Sequence, residues 1–260
     1  MPGYRLEQPK IQLNKLVNTK NGEIKLTHEL VKEPAKFDNW YLIYNEKYKD
    51  DAETLEDAFL QASKAFGIKF GEPIRFNMGK STSPEECMEE INIEVEERKE
   101  LPQVILFLVG NFHKESFYSE MKSFCTLQLK VPSQFLTIHK FMGQKKKHGG
   151  LLSLASNVIL QMNVKVGKVL WEVPIRNSDL QKKKIMCGSI AVSKINKQYC
   201  LGFVGTTDEK LTKIYNETKM KKKPEDFDQS VLSQIFVNWI KVYFQSNNRA
   251  FLPEVIIIYR

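Results

Sequence analysis

The 260-residue chain has no apolar run near the ~20 residues that would span a bilayer. Its first ten residues, MPGYRLEQPK, lack an apolar signal core. Together these absences predict an intracellular protein of cytoplasm or nucleus with no membrane partner. The four cysteines, Cys87, Cys125, Cys187 and Cys200, stand far apart with no C-x2-C pair. That spacing argues against a zinc site and a disulfide framework, and each thiol is expected as a small buried apolar side chain. Neither a G-x-G-x-x-G nor a Walker pattern is present, so no motif supports an α/β enzyme acting on nucleotides or phosphosugars. The four histidines, His28, His113, His139 and His148, are scattered. His139 falls on an apolar strand pattern, where a structural role is the plain reading.

Basic charge and apolar mass are what the chain has. A hydrophobic content of 42% over this length suffices for one large or two medium globular domains. The formal net charge is +8 and the isoelectric point about 9.1, an excess that favours polyanionic partners. It is clustered at Lys145-Lys146-Lys147, at Lys182-Lys183-Lys184, and at Lys219 with Lys221, Lys222 and Lys223. Any one of these reads as a solvated loop. Three of them in a chain with a phosphate-type pocket point to a nucleic-acid path.

The order of elements is set by periodicity. Residues 1–39 are short and mixed, with an Asn21-Gly22 turn signal before alternation over Glu23–Leu26. This segment has little apolar mass and is expected to pack against the residues after it. Trp40–Tyr44 reads as a buried strand and Thr54–Phe66 as a helix ended by Gly67. Ile74 and Phe76 mark a second strand. Ser83-Pro84-Glu85-Glu86 is a capping box opening an acidic helix toward Arg98. Val104–Val109 is a further buried strand, succeeded by a helix carrying Tyr118 and Lys122, a strand after Gln134 and a helix from about Leu151. Such alternation implies a parallel sheet covered on both faces, with ligands beyond the carboxyl ends of its strands. After Lys168 the pattern changes. Strands are expected at Ile185–Val192 and Tyr199–Val204, and Leu211–Tyr215 leads into a third. An amphipathic helix carries Val231, Leu232, Ile235, Phe236, Trp239 and Tyr243, and the last strand is Val255–Tyr259.

The chemistry is concentrated between Tyr118 and Lys168. Tyr118 and Lys122 are four apart, which puts both on one helix face. Gln134 closes the turn-like run Val131-Pro132-Ser133-Gln134, and Lys165 ends an apolar-periodic run. A phenol, two ammonium groups and an amide, with no catalytic base, make a receptor for a terminal phosphate. The wording around these residues, YSEMK, then VPSQ, then LQMNVKVGKVLWEVP, resembles the phosphate pocket of Argonaute proteins, and specifically the Piwi branch. The resemblance implies that Tyr118, Lys122, Gln134 and Lys165 hold the 5′-phosphate of a single-stranded small guide RNA that pairs with a target RNA. It implies weaker RNA contacts from Asn163, and from His113 and Lys114 in the loop Asn111–Ser116 that faces the first guide base, with a 5′ uridine preferred. It also implies that Gln161 helps hold Mg²⁺ bridging guide phosphates, with no tightly bound cofactor. The fold class implied is α/β: a linker over 1–39, a Rossmann-like Mid domain with a parallel sheet over 40–175, and over 176–260 the N-terminal part of an RNase H-like Piwi domain. KKIMCGSIAV, GFVGTT and LPEVIIIYR carry that last part.

One departure from the family bears on activity. Metal-dependent nucleases of this fold need acidic side chains to hold two Mg²⁺ ions. By resemblance the first Asp position falls at Ile190, which cannot ligate magnesium. The second falls just beyond Arg260, and the family's Glu falls near Phe227–Gln229, where Asp228 is the acid. Glu225 and Asp226 are more simply favourable charges at a helix N-terminus. The expectation is a guide-RNA-binding protein of RNA-mediated silencing without slicer activity. Two enzyme readings stand beside it: part of a longer Mg²⁺-dependent endoribonuclease, which Ile190 opposes, and the unrelated α/β nucleotide enzyme.

Overall fold

A computed structural model describes residues 10–13, 16–18, 30–78, 83–110, 115–175 and 177–259. The chain divides into two compact units, Lys25–Leu170 and a second that joins Met1–Ile24 to Trp171–Arg260. No helix among the described residues is long and apolar enough to cross a membrane.

The opening strands β1 (Lys10–Gln12) and β2 (Leu16–Asn18) pair antiparallel, Ile11 opposite Val17. Gln12 and Glu172 exchange both backbone hydrogen bonds, at 2.7 and 2.9 Å. The opening strands are thus tied to residue 172, far along the chain that follows them. The Asn21-Gly22 turn and the Glu23–Leu26 alternation lie outside the described residues.

Residues 31–37 belong to the Lys25–Leu170 unit, because Val31, Ala35 and Phe37 are buried in its core. Strand β3 (Lys36–Phe37) pairs with β5 (Lys69–Phe70), and between them come β4 (Trp40–Tyr44) and α1 (Lys49–Phe66). Gly67 ends α1 at φ +73°, a left-handed cap that a β-carbon would strain. Next come β6 (Ile74–Asn77), α2 (Pro84–Arg98), β7 (Val104–Val109), α3 (Glu115–Ser123), a π-helical turn at Phe124–Leu129, β8 (Ser133–Thr137), α4 (Ile138–Lys145) and α5 (Gly150–Lys165).

The main sheet has the order β6-β4-β7-β8 and is parallel throughout. WYLIY and VILFLV are buried at every position because both faces are covered. Alternate side chains go to opposite cores. Trp40, Leu42, Leu106 and Leu108 meet α1 and α5, while Tyr41, Ile43, Ile105 and Phe107 meet α2 and α3. Ser83 caps α2 as expected, accepting from the Glu86 N–H at 3.5 Å, with its hydroxyl donating to Glu85 at 2.5 Å. His139 corrects the sequence reading, since it lies exposed on helix α4 and not on a strand. The Thr137 side chain caps that helix, accepting from the Lys140 N–H, and Ile138 and Phe141 anchor it in the core.

In the other unit, α6 (Ser178–Gln181) precedes β9 (Ile185–Ile195), β10 (Gln198–Thr206), β11 (Ile214–Lys221), α7 (Gln229–Ser246) and β12 (Val255–Tyr259). The sheet order is β11-β10-β9-β12, antiparallel except for β12 on β9. Helix α7 lays Ile235, Trp239 and Tyr243 on Met186, Leu201 and Phe203. Gly188 and Gly205 are directly opposite in register and together seat the Trp239 indole. A β-carbon at Gly205 would lie 2.3 Å from the ring. The indole N–H donates to the Thr206 carbonyl at 2.9 Å.

Candidate functional site

The site is built beside β8, one of the two edge strands of the main sheet. The Ile105 N–H donates to the Pro132 carbonyl at 3.0 Å, toward β7. The next carbonyl along, that of Ser133, faces away from β7, takes no sheet partner among the described residues and receives two lysines. Lys122 Nζ donates to Ser133 O at 3.1 Å and to Ser133 Oγ at 2.9 Å. Lys165 Nζ donates to the same carbonyl at 2.7 Å and to Gln134 Oε1 at 2.6 Å. Lys122 comes from the end of α3 on one face of the sheet, Lys165 from the end of α5 on the other. Two helices running back along opposite faces therefore deliver their last-turn cations to one strand edge. The sequence reading put the ligand beyond the carboxyl ends of the strands. These cations gather instead at Ser133, the first residue of β8, because long side chains from both faces meet only past an edge.

The ring of Phe135 is the floor of the site. It stacks on Phe107 at 4.4 Å and takes the edge of Tyr118 at 4.8 Å, with Lys122 Nζ 5.9 Å above it. The four-residue spacing of Tyr118 and Lys122 thus brings both to one ring, as the helix period requires. Tyr118 is 42% exposed, so its phenol stands at the surface. The structure brings all four sequence-predicted residues, Tyr118, Lys122, Gln134 and Lys165, onto the segment Ser133–Phe135.

Each ammonium has three N–H donors. With two engaged on each lysine, each ammonium keeps one further donor. Gln134 donates one amide N–H to the Phe135 carbonyl at 3.2 Å and keeps another. Loss of water around the Lys165 ammonium, and then the charge of Lys122, bring its pKa down to about 8. Two cations held on one carbonyl, the Lys165 charge disfavoured by desolvation and by Lys122, form a site that gains from a dianion. Burial pushes the nearby Cys125 thiol up to about 11, against a hydrogen bond with Ser133 and the charge of Lys122. Cys87, on the same side of the sheet, reaches about 12 for the same first reason. Those two cysteines are the buried apolar groups expected, while Cys187 and Cys200 are only half-buried.

Asn163 is corrected. It is fully buried, its side-chain oxygen accepting from the Ala35 N–H at 2.8 Å and its amide donating to the Glu33 carbonyl at 3.2 Å. That side chain fixes the 33–35 segment and presents nothing to RNA. His113 and Lys114 lie outside the described residues. Gln161 is exposed on α5 and lines a cavity of about 220 Å³ that it shares with Gln134, Thr137, Lys140 and Asn157. Neutral oxygens around an ammonium, without a carboxylate, do not fit a resident Mg²⁺ ion.

Ser133 and Phe135 were missed in the sequence. Ser133, the first residue of SQFLT, is 1% exposed, a burial that a turn-like Pro-Ser run does not announce. In the other unit, Ile190 packs on the α7 core opposite Phe203. Asp228 caps α7, accepting from the Val231 N–H at 3.0 Å. Among the lysine clusters, Lys145 pairs with Asp51 at 2.9 Å, Lys219 with Glu217 at 2.7 Å, and Lys184 with Glu209. Each cluster thus has one lysine held by a carboxylate of this chain, while the net charge stays +8.

Comparison with known proteins assigns the family. A family profile described as the Piwi domain matches residues 104–260, more than half of the chain. Piwi-like protein 1 of Gallus gallus is 24% identical over 225 residues, covering 86% of this chain and 24% of that protein. Protein argonaute-3 of Drosophila melanogaster is 23% identical over 241 residues, covering 90% of this chain and 25% of that protein. The chain thus spans about a quarter of the length of these relatives. The crystal structure of Drosophila Piwi superposes with a TM-score of 0.74 at 18% identity, over 98% of this chain and 34% of that one. Kluyveromyces polysporus Argonaute, solved with a guide RNA, gives 0.77 at 19% identity, over 98% of this chain and 33% of that one. The chain belongs to the Argonaute/Piwi family.

Proposed function

We propose that the protein grips the 5′-phosphate of a single-stranded small guide RNA through Lys122, Lys165, Gln134 and Tyr118, for RNA-mediated silencing of a target RNA. The observation that carries this is the shared Ser133 carbonyl, with two ammonium groups at 3.1 and 2.7 Å and a carboxamide bound to one of them. A terminal phosphate carries about −1.5 to −2 charges, against one for an internal phosphodiester, and so draws more from a paired-cation site. On this reading the Lys25–Leu170 unit acts as the Mid domain, and the strands from Ile185 onward are part of the RNase H-like Piwi domain.

The same reading holds that this chain does not cut RNA. Magnesium-dependent hydrolysis on this fold needs a carboxylate set, whereas the first such position is the apolar Ile190 and the Asp228 carboxylate is engaged as a helix cap. Any Mg²⁺ near Gln161 would enter with the RNA, whose phosphates bring the missing negative charge. Binding of 5′-phosphorylated and 5′-hydroxyl forms of one short RNA tests the phosphate grip. Lys122→Ala should lower affinity for the first far more than for the second. Equal losses for the two would leave only two lysines covering a strand edge. Incubation of the chain with Mg²⁺, guide and paired target tests the second statement, and cleavage of the target would overturn it.

A further inference from the structure

We propose that Ser133 is the positioning residue of the anion site, holding the two lysines in the spacing that discriminates a phosphomonoester dianion from a phosphodiester. This inference rests on the anion-site reading above and extends it to a residue that would not touch the ligand. Ser133 is the one group common to both cations among the described residues. Its carbonyl takes Lys122 at 3.1 Å and Lys165 at 2.7 Å, and its hydroxyl takes Lys122 again at 2.9 Å. The residue is 1% exposed, so it is held in the fold, while Lys122 is half-buried and Lys165 exposed.

Without such an anchor, two flexible lysines of like charge would diverge into water and lose rotamer order. The site would then pay that ordering cost at the moment of binding. With the anchor, each ammonium is directed by two engaged donors, and its third N–H is left for the ligand. The turn before β8 sets the anchor itself. The π-helical turn ends with the Cys125 carbonyl accepting from the Val131 N–H at 2.9 Å, and Lys130 is left-handed at φ 57°. This wide turn brings Val131-Pro132-Ser133 back under Lys122.

The hydroxyl is the separable part of the anchor, because any residue supplies the carbonyl. Ser133→Ala removes one charge-assisted hydrogen bond, and Ser133→Thr keeps it. The test compares wild type, Ser133→Ala and Ser133→Thr for affinity toward a 5′-phosphorylated RNA and its 5′-hydroxyl counterpart, with thermal melting alongside. The expected result is a fall of roughly three- to tenfold in the phosphate-to-hydroxyl preference for Ser133→Ala, from losing part of one such bond, with hydroxyl-RNA affinity unchanged. Ser133→Thr should return the preference to near the wild-type value. A lower melting temperature with an unchanged preference would overturn the proposal and leave Ser133 as a fold residue. Absence of any preference in wild type would instead overturn the anion-site reading beneath it. If Ser133→Ala does not fold, Ser133→Cys, of similar size and weaker as an acceptor, is read by the same preference.

Discussion

On the proposed function, Lys165 should make the phosphate grip dependent on pH in a window where lysine is ordinarily inert. Its pKa is brought from 10.5 to about 8, first by loss of water around the ammonium and then by the charge of Lys122. A terminal phosphate, whose second pKa is about 6, is already a dianion above neutrality and does not itself titrate there. Placed beside Lys165 it favours the charged form, so that above pH 8 binding must take up a proton. At pH 9 only about a tenth of free Lys165 is protonated, which sets a ceiling of roughly tenfold on the loss of affinity relative to pH 7. Lys165 is exposed as a residue, and solvent screening reduces the expected loss to about three- to tenfold. The sign for the ligand-free fold is opposite. The unfolded chain binds more protons than the native one between about 8 and 10.5, so Lys165 contributes stability as pH rises through that window. The assay is fluorescence anisotropy with an adenosine-only RNA carrying a 5′-phosphate or 5′-hydroxyl, from pH 7 to 9 at constant ionic strength. Calorimetry in two buffers of different ionisation enthalpy gives the proton count. Lys165→Met should flatten the pH dependence. A phosphate preference that is level from pH 7 to 9, or an unchanged slope in Lys165→Met, would refute the reasoning.

Packing and capping supply the other expectations. Gly205→Ala, which sets a β-carbon 2.3 Å from the Trp239 ring, should cost about 1–3 kcal/mol through overpacking, read as a lower denaturation midpoint with unchanged slope. Asn163→Ala strands the Ala35 N–H and Glu33 carbonyl in the interior and should cost about 1–3 kcal/mol. Under conditions where both forms are folded it should leave RNA affinity as in wild type. Asp228→Ala removes the cap of α7 and should lower stability by about 0.5–2 kcal/mol. A loss of RNA affinity at constant foldedness would give Asp228 a role the structure does not.

Much of the fold was legible because it rests on local rules. WYLIY and VILFLV announce doubly covered strands, Gly67 marks the end of α1, and the stripe from Val231 to Tyr243 defines α7. Helix α4 was not legible, since eight residues with two buried apolar positions continue from a strand-like FLT without a break. Its signal was the single cap Thr137. The π-helical turn at Phe124–Leu129 had no signal, because its register is set by packing under β8. In the candidate site the charged residues could be found from their spacing and wording. Ser133 could not be ranked, because only the fold shows that its carbonyl lacks a sheet partner and is met by cations from both faces. Asn163 shows the converse. Its wording matched a binding residue, and its burial makes it a bracket for the 33–35 segment.

The most direct test of the account is a titration of one short single-stranded RNA, with and without a 5′-phosphate, at two salt concentrations. Non-specific contacts to internal phosphates weaken steeply with salt, with a slope of about 0.7 per phosphate on a single strand, and they affect both RNAs alike. A preference for the 5′-phosphate that persists at the higher salt is the predicted result, since on the proposed function the Lys122–Lys165 pair on Ser133 would act on the terminal group alone. Equal binding of the two RNAs, vanishing together as salt rises, would contradict the account and reduce the site to a basic patch beside β8.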